Sequence, residues 1–450
     1  MAIAATIEWE VRTTGPASNA GSGGYKPGAS GTDYSQQDTV QYALTGVTTA
    51  AADAVLLSAS ASADMVGNLA HIISGTNFTA GWYEIVSVVV GTSITLDRTC
   101  TTAAGAAGVV NIGGALSLGS SDDAVFESME PGNIMYIKSG TYTIGGAVAA
   151  SKIGTSALPI RFVGYDTSRS VVPAAGSRPI LAFAALSARF EDYYLFNNII
   201  FTTTEASGIL LENGCRLSNC KITNSSVTAN RWACAGVSNF SDGVRIFNSE
   251  LISTNGVAIY GNTSNDRWHI HGCYVHDSVT GINAMALGTT ITSCIIDTCT
   301  TGILAGGMGL VVVGCTLYSG TTGISIVTYS QVSILNNIIS GFTTGISATS
   351  NIEGNSYDFN NFHNNTADRS NVTAGANDIA LDPAFVDAPN GNFAVGVNMK
   401  AAGFPGLFPG GLSTGYLDIG AVQRVEPSSA SIYVESNISQ ILAKSKSVAY

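Results

Sequence analysis

At 450 residues the chain is long enough to bury a large core, and length alone allows two or three domains. Only 11% of residues are charged while Gly, Ser, Thr and Ala abound, which suits a β-solenoid with uncharged faces better than a soluble cytosolic enzyme. The formal net charge of −12 argues against nucleic acid as the main partner.

The first ten residues carry no basic side chain and no apolar run of signal-peptide length, and no later stretch of about 18 apolar residues could span a membrane. Neither export by a secretory signal nor membrane insertion is expected. Residues 1–44 are rich in small residues and read as an irregular arm, with Thr6 to Thr13 pairing one strand onto the body. From 45 to 116 the candidate strands lengthen (His71 to Ser74, Trp82 to Val90, Ser93 to Arg98, Val109 to Ile112) between Gly-bearing turns, as in a small antiparallel β module. Asp97-Arg98 reads as a surface ion pair, since no acid–base partner accompanies it.

Residues 117–423 read as a solenoid. A short helix over 122–127 would cap its first rung, followed by strands in Pro131 to Tyr142, Pro159 to Tyr165 and Arg189 to Asn198. Between Gly208 and Gly345 one phrase recurs: Gly208-Ile209, Gly236-Val237, Gly256-Val257, Gly281-Ile282, Gly302-Ile303, Gly323-Ile324 and Gly345-Ile346. The steps are 28, 20, 25, 21, 21 and 22 residues. A period in the twenties signals a solenoid.

A second column, Cys220, Ser249, Cys273, Cys294, Cys315 and Asn337, marches with the first. Three residues before it stand Leu217, Ile246, Ile270, Ile291, Val312 and Ile334; two after it stand Ile222, Leu251, Val275, Ile296, Leu317 and Ile339. Each side alternates like a strand, and the parity slips between them, so a corner intervenes. Asn219, Asn248, Gly272, Ser293, Gly314 and Asn336 occupy that corner, mostly types that tolerate a left-handed bend. The β-branched content favours strands over the helical returns of a leucine-rich repeat. Each rung is therefore expected to run strand, corner, strand, Thr-Gly turn, strand, stacking into a parallel β-helix. Cysteines stacked about 4.8 Å apart and pointing the same way make poor disulfides, so reduced thiols and assembly inside a cell are expected.

After Ala348 the period dissolves into an Asn-rich stretch, Asn351 to Asn371, expected as a loop or irregular rung. Phe404 to Gly411 is a turn cluster, and residues 424–450 form a tail for oligomerisation or docking.

The run Pro131-Gly-Asn-Ile-Met-Tyr-Ile-Lys-Ser-Gly-Thr-Tyr142 resembles the entry rung of right-handed parallel β-helix proteins, the pectate-lyase-like superfamily. Leu381-Asp-Pro-Ala-Phe-Val-Asp387, Gly391-Asn-Phe393 and Asp418-Ile-Gly-Ala-Val422 look like its closing rungs. The module at 45–116, with Gly81-Trp-Tyr-Glu-Ile85, is similar to small β modules of phage virion β-helix proteins. The resemblance implies an all-β fold, a right-handed parallel β-helix with a small N-terminal antiparallel module. It leaves activity open, because the superfamily holds lyases, hydrolases, adhesins and viral spikes.

Aligned on the second column, the rungs expose two polar columns: Asn213, Asp242 and Asp266, then Arg216, Arg245 and His269, the latter facing outward. Carboxylates on successive rungs would stand about 5 Å apart, a retaining-glycosidase spacing. If the chain is an enzyme, Asp242, Asp266 and His269 are the catalytic candidates; Glu212, Arg216, Asp242, Arg245, Asp266 and His269 are the candidates for ligand binding. Basic residues three positions after each Asp favour ionised carboxylates, the wrong state for a general acid, so a structural or ligand-contacting ladder is the expectation. The acidic-cluster and Asp-His patterns of pectate-lyase-like and polygalacturonase-like enzymes are not matched. His269 and His271 point outward from a flat strand with His276 beyond the corner, so no metal and no cofactor are expected.

Between Ser278 and Ser350 the only charged residue is Asp297, and Ile295, Val311, Val313, Tyr318 and Ile338 point outward. An apolar face of this length implies a cover, expected to be a second copy of the chain in a homotrimer. The leading functional expectation is a structural or adsorption protein of a phage particle, a fibre, spike or appendage contacting other virion proteins or host surface polysaccharide and assembled in the host cytoplasm. The alternative is an extracellular polysaccharide lyase or glycoside hydrolase, for which Trp232, Tyr260 and Tyr274 would be sugar platforms; Trp268 is assigned to the core.

Overall fold

The computed structural model describes residues 8–11, 13, 42–66, 69–113, 126, 129, 131–146, 148–150, 152–167, 169, 171–183, 188–204, 207–228, 231–236, 241–327, 331–350, 354–403 and 417–423. Most of the arm, the proposed cap at 122–127 apart from Phe126, the turn cluster at 404–411 and the tail at 424–450 lie outside them. Regular structure is almost wholly strand. The chain divides into two compact units, Met1–Pro173 with Ser177–Ala182, and Ala174–Gly176 with Phe183–Tyr450.

The first unit holds a six-stranded antiparallel sheet built from Tyr42–Val47, Val55–Leu57, Leu69–Phe78, Gly81–Val89, Ser93–Leu96 and Thr101–Gly113. Its apolar residues, Leu44, Leu56, Ile72, Ile85, Ile94 and Val110 among them, form one buried cluster. Arg98 pairs with Asp97 at 2.8 Å, and Lys138 approaches the same carboxylate at 3.5 Å, a surface ion pair as read from sequence. The same unit starts the solenoid: Glu8–Val11 lies parallel to Ile134–Lys138, which lies parallel to Ile160–Tyr165.

The second unit is a parallel β-helix, the fold implied by the resemblance. One sheet stacks eight short parallel strands, Tyr194–Asn197, Arg216–Ser218, Arg245–Phe247, His269–His271, Thr290–Thr292, Val311–Val313, Ser333–Leu335 and Ser356–Asp358. The other sheet is carried by long strands such as Tyr274–Ala284, Ile295–Ala305, Thr316–Ile326 and Ile338–Ala348. Both apolar columns read from the sequence point inward and are buried, as is the Cys220-to-Asn337 column between them. The corner residues Asn219, Asn248, Gly272, Ser293, Gly314 and Asn336 all take the left-handed conformation, with φ between 48° and 63°.

The glycine phrase has a different cause from the one expected. Gly281, Gly302, Gly323 and Gly345 lie inside the long strands and make no turn. A Cβ on them would stand 2.6, 2.6, 2.5 and 2.6 Å from a carbonyl oxygen of the next rung, so close stacking excludes a side chain there. The bend comes four residues earlier, at Asp277, Thr298, Ser319 and Gly341, with φ of 49°, 50°, 61° and 79°. Gly236 and Gly256 are not in this column. Register places Ala233 and Ala258 there, and the steps from Gly208 become 25, 25 and 23 residues.

All eight cysteines are buried and free, and burial pushes the thiols of Cys215 and Cys299 up to about 12. Where the thiol column ends, amides continue it. Asn337 accepts from the Cys315 backbone N–H at 2.8 Å and donates to Asn360 at 3.0 Å; the Asn360 backbone N–H donates to Asp378 at 2.8 Å. The Asn-rich stretch is thus a regular rung, with Asn361–His363 and Ala367–Ser370 both pairing with Ile338–Ala348. Its asparagines bond mainly to backbone: Asn360 donates to the Ile334 carbonyl at 2.9 Å, Asn361 to that of Leu381 at 2.9 Å and Asn365 to that of Ile339 at 3.0 Å.

The expected apolar face is split between the two sheets: Val311 and Val313 lie on the short-strand sheet, whereas Ile295, Tyr318 and Ile338 lie on the long-strand sheet and are covered by the chain itself. Ile295 packs beneath Ala388, Phe393 and Ala421, and Ile338 beneath Met399 and Ile419. Both isoleucines are fully buried, although they point away from the solenoid core. The phrases read as closing rungs, 381–393 and 418–422, contribute this strap along the outside of the sheet. The argument for a homotrimer from an open face at 278–350 therefore lapses for Ile295 and Ile338.

Candidate functional site

Five successive rungs of the second unit enter their short strands through a turn containing a left-handed residue, Tyr193, Gly214, Gly243, Arg267 and Gly288. The turn separates two sets of side chains that sequence spacing placed together. Arg216, Arg245 and His269 fall in one exposed column on the sheet face, as their parity implies. Arg216 donates to Ser218 at 2.9 Å and lies 4.8 Å over the Phe247 ring.

Asp242 and Asp266 sit on the turns of neighbouring rungs, where their backbones continue the ladder. Asp242 is ion-paired with Arg267 at 3.4 Å, not with Arg245, and no contact joins Asp266 to His269 among the described residues. Turn geometry is the reason: the left-handed residue swings the following basic residue onto the sheet. Asp192 accepts from the Asn213 backbone N–H and amide, both at 3.0 Å, and Asn213 accepts from the Asp242 backbone N–H at 2.7 Å. The side chains of Asp192 and Asn213 thus each brace the turn of the next rung.

The close carboxylate pair lies two rungs earlier. Glu191 and Glu212 occupy equivalent positions in neighbouring turns, four residues before Leu195 and Arg216, which pair across the sheet. Both reach the same guanidinium nitrogen of Arg189: Glu191 Oε1 stands 3.2 Å from Nη2, and Glu212 Oε1 contacts Nη2 and accepts from Nε at 2.9 Å. Burial, then the Glu212 charge, pushes the Glu191 carboxyl above its ordinary value despite Arg189. Pairs of carboxyls whose protonation is driven apart are the usual basis of double-carboxylate catalysis. Sequence reasoning named Glu212 and missed Glu191, because the column alignment began one rung too late.

A second charged cluster lies on the outward face of the other sheet. Lys221 bonds Glu250 at 2.7 Å, and His276 spans Glu250 at 3.2 Å and Asp277 at 2.8 Å. Burial opposes ionisation of Glu250, but the His276 hydrogen bond and the Lys221 ammonium outweigh it and hold the carboxyl at about 2. His276 is raised, because its bonds to Asp277 and Glu250 overcome its burial. Both ring nitrogens are occupied, so His276 has none left for a substrate. Tyr274 stacks on His276 at 4.2 Å and donates to Asp297 at 3.2 Å; burial and Asp297 raise its hydroxyl, which makes it a poor base. Tyr274 also packs against the cluster of Ile295, Ala388, Phe393 and Ala421 beneath the strap.

Trp268 is core, donating through Nε1 to the Ser241 carbonyl at 2.7 Å, whereas Trp232 and Tyr260 stack on each other on the outside. Among the described residues, no three His, Cys, Asp or Glu side chains converge as metal ligands, and no helix is long and apolar enough to cross a membrane.

No protein-family model matches the chain, and no curated protein matches its sequence. Solved structures do resemble it. Pectate lyase Pel9A is 12% identical with a TM-score of 0.45, covering 69% of this chain and 92% of that one. An alginate lyase from Paenibacillus sp. str. FPU-7 is 12% identical with a TM-score of 0.38, covering 58% and 94%. The PL6 family polysaccharide lyase Pedsa3628 from Pseudopedobacter saltans is 11% identical with a TM-score of 0.32, covering 66% and 96%. Such likeness does not reach beyond the fold, and the chemistry rests on this chain's own residues.

Proposed function

We propose that this chain is a carbohydrate-active β-helix protein that binds an acidic polysaccharide along its rungs and cleaves it at Glu191 and Glu212. The observation that carries the reading is the pair of carboxylates from neighbouring rungs meeting at one Arg189 nitrogen. That shared atom brings the two carboxyls together from neighbouring rungs, as double-carboxylate chemistry requires. Glu191, protonated more readily than an ordinary glutamate, is the general acid that delivers its proton to the glycosidic oxygen. Glu212 is the carboxylate facing the developing positive charge at the sugar carbon, and water completes the hydrolysis with Glu191 now acting as base. The exposed Arg216–Arg245 column leads away from the pair at the ~4.8 Å rung spacing and supplies cations to an acidic chain.

A second reading is supported by Arg189 itself, since one guanidinium clamping both glutamates is also what a structural ion pair looks like. Under it the same surface holds a glycan without cutting it, as an adsorption protein of a phage particle would. The test incubates the purified protein with acidic polysaccharides and follows reducing ends and unsaturated products. Reducing-end release by the wild type, lost in both Glu191→Gln and Glu212→Gln, supports hydrolysis. Binding without product supports the adsorption reading. Release that survives both substitutions overturns the assignment of the pair.

A further inference from the structure

We infer that Tyr193 is a sugar-binding platform on the turns that carry Glu191 and Glu212. The inference rests on the proposed function and adds a substrate-contacting residue to its site. Tyr193, Gly214, Gly243, Arg267 and Gly288 hold equivalent places, two residues before the paired strand residues Leu195, Arg216, Arg245, His269 and Thr290. All five take the left-handed conformation, Tyr193 with a φ of 60°. Glycine does so freely, whereas a bulky side chain is disfavoured there. Arg267, the other departure from glycine, uses its side chain to ion-pair with Asp242. The Tyr193 side chain has no such bond. Its ring meets no other ring and its hydroxyl bonds to none of the described residues. Unlike a shielded orphan, that hydroxyl stays open to solvent.

Strained residues persist where their surroundings hold them, and they gather at ligand sites. Tyr193 is held on both sides. Its N–H donates to the Asn213 carbonyl at 2.8 Å, and the preceding Asp192 accepts from Asn213 twice at 3.0 Å. The ring crosses to the next rung and lies on Gly214, where a Cβ would stand 2.5 Å from Cε1 and 2.6 Å from Cδ1. Glu191 stands two residues before Tyr193, and Glu212 two before Gly214, so the ring spans the same two turns as the carboxyl pair. With backbone against it and the side chain half-buried, the ring offers a fixed apolar surface and a free phenol. The apolar face of a sugar suits the ring, and sugar hydroxyls or a carboxylate suit the phenol. The ligand is thus the unit of the acidic polysaccharide that lies across these two rungs.

The experiment uses the full chain carrying Glu191→Gln, so that turnover does not consume the probe, and measures polygalacturonate binding by affinity electrophoresis. Tyr193→Gly, which suits the left-handed backbone, should weaken binding about tenfold in a protein that thermal melts show to be folded. Tyr193→Phe keeps the ring and should recover most of that loss. Gly214→Ala drives a methyl into the ring and should weaken binding as Tyr193→Gly does. Gly243→Ala carries the same backbone strain with nothing within 4 Å and should bind like the parent. Equal binding by folded Tyr193→Gly and the parent overturns the inference and leaves the proposed function standing. A Tyr193→Phe variant as weak as Tyr193→Gly also overturns the platform. A parent that binds no polygalacturonate overturns both. If the wild type releases no reducing ends while the Tyr193 differences persist, the proposed cleavage fails and the platform stands.

Discussion

Phe393 fastens the strap to the outside of the solenoid, and removing its ring tests that architecture. The side chain is fully buried and meets Tyr318 and Phe385 edge-on at 5.5 and 5.3 Å, in the cluster that also covers Ile295. Truncation of a buried Phe costs about 3–5 kcal/mol when the surroundings cannot collapse, and Ile295→Ala on the facing sheet costs about 2–5 kcal/mol. The two side chains share one cluster, so the double variant should lose about 0.5–3 kcal/mol less than the sum. Amide hydrogen exchange localises the effect. Gly420 donates to Asn336 at 3.0 Å and Ala421 to Thr316 Oγ1 at 3.0 Å, whereas Ile295 donates to Cys273 within the stack. In Phe393→Ala the amides of Gly420 and Ala421 should exchange faster while that of Ile295 stays protected. Light scattering should also show self-association through the uncovered Ile295 and Ile338. A folded variant with unchanged exchange at Gly420 and Ala421 would refute the claim that Phe393 holds the strap.

The Glu250 carboxyl, held at about 2, makes stability fall as acid protonates it: the contribution is present above the ordinary glutamate value and lost on descending through pH 2. With a shift from 4.5 to about 2, Glu250→Gln should remove about 3 kcal/mol near pH 5 and little at pH 2, read by denaturant titration at both pH values. His276 has the opposite sign, because its raised value contributes fully below about pH 6.5 and is lost as pH rises through the folded-state value. His276→Gln should therefore cost more at pH 5.5 than at pH 9 in the same titration. Gly302→Ala would put a methyl 2.6 Å from the Gly323 carbonyl oxygen and should cost about 1–3 kcal/mol, whereas Gly243→Ala meets nothing within 4 Å and is limited to the strain of its φ of 66°; comparative melts decide.

The stack itself was legible because its determinants are local and periodic. A buried strand needs an apolar residue at every second position, and a corner needs a residue that tolerates positive φ, so Ile246, Ile270 and Ile291 with Asn248, Gly272 and Ser293 announced the rung. The same reasoning oriented Arg216, Arg245 and His269 outward. It misjudged the glycines, because a sequence does not distinguish a glycine needed for a turn from one needed for close approach. Only the stacked carbonyls show that Gly281, Gly302 and Gly323 are of the second kind. Outward parity also does not reveal what lies on top of a face: Ile295 and Phe393 are 98 residues apart, and only folding shows that one covers the other. The site followed the same division. Spacing paired Asp242 with Arg245, but the left-handed turn gave Asp242 to Arg267, and the chain's path through two earlier turns brought Glu191 and Glu212 to Arg189. Side-chain parity is set by neighbours along the strand, whereas ion pairing is set by where turns aim their side chains, and that is decided in three dimensions.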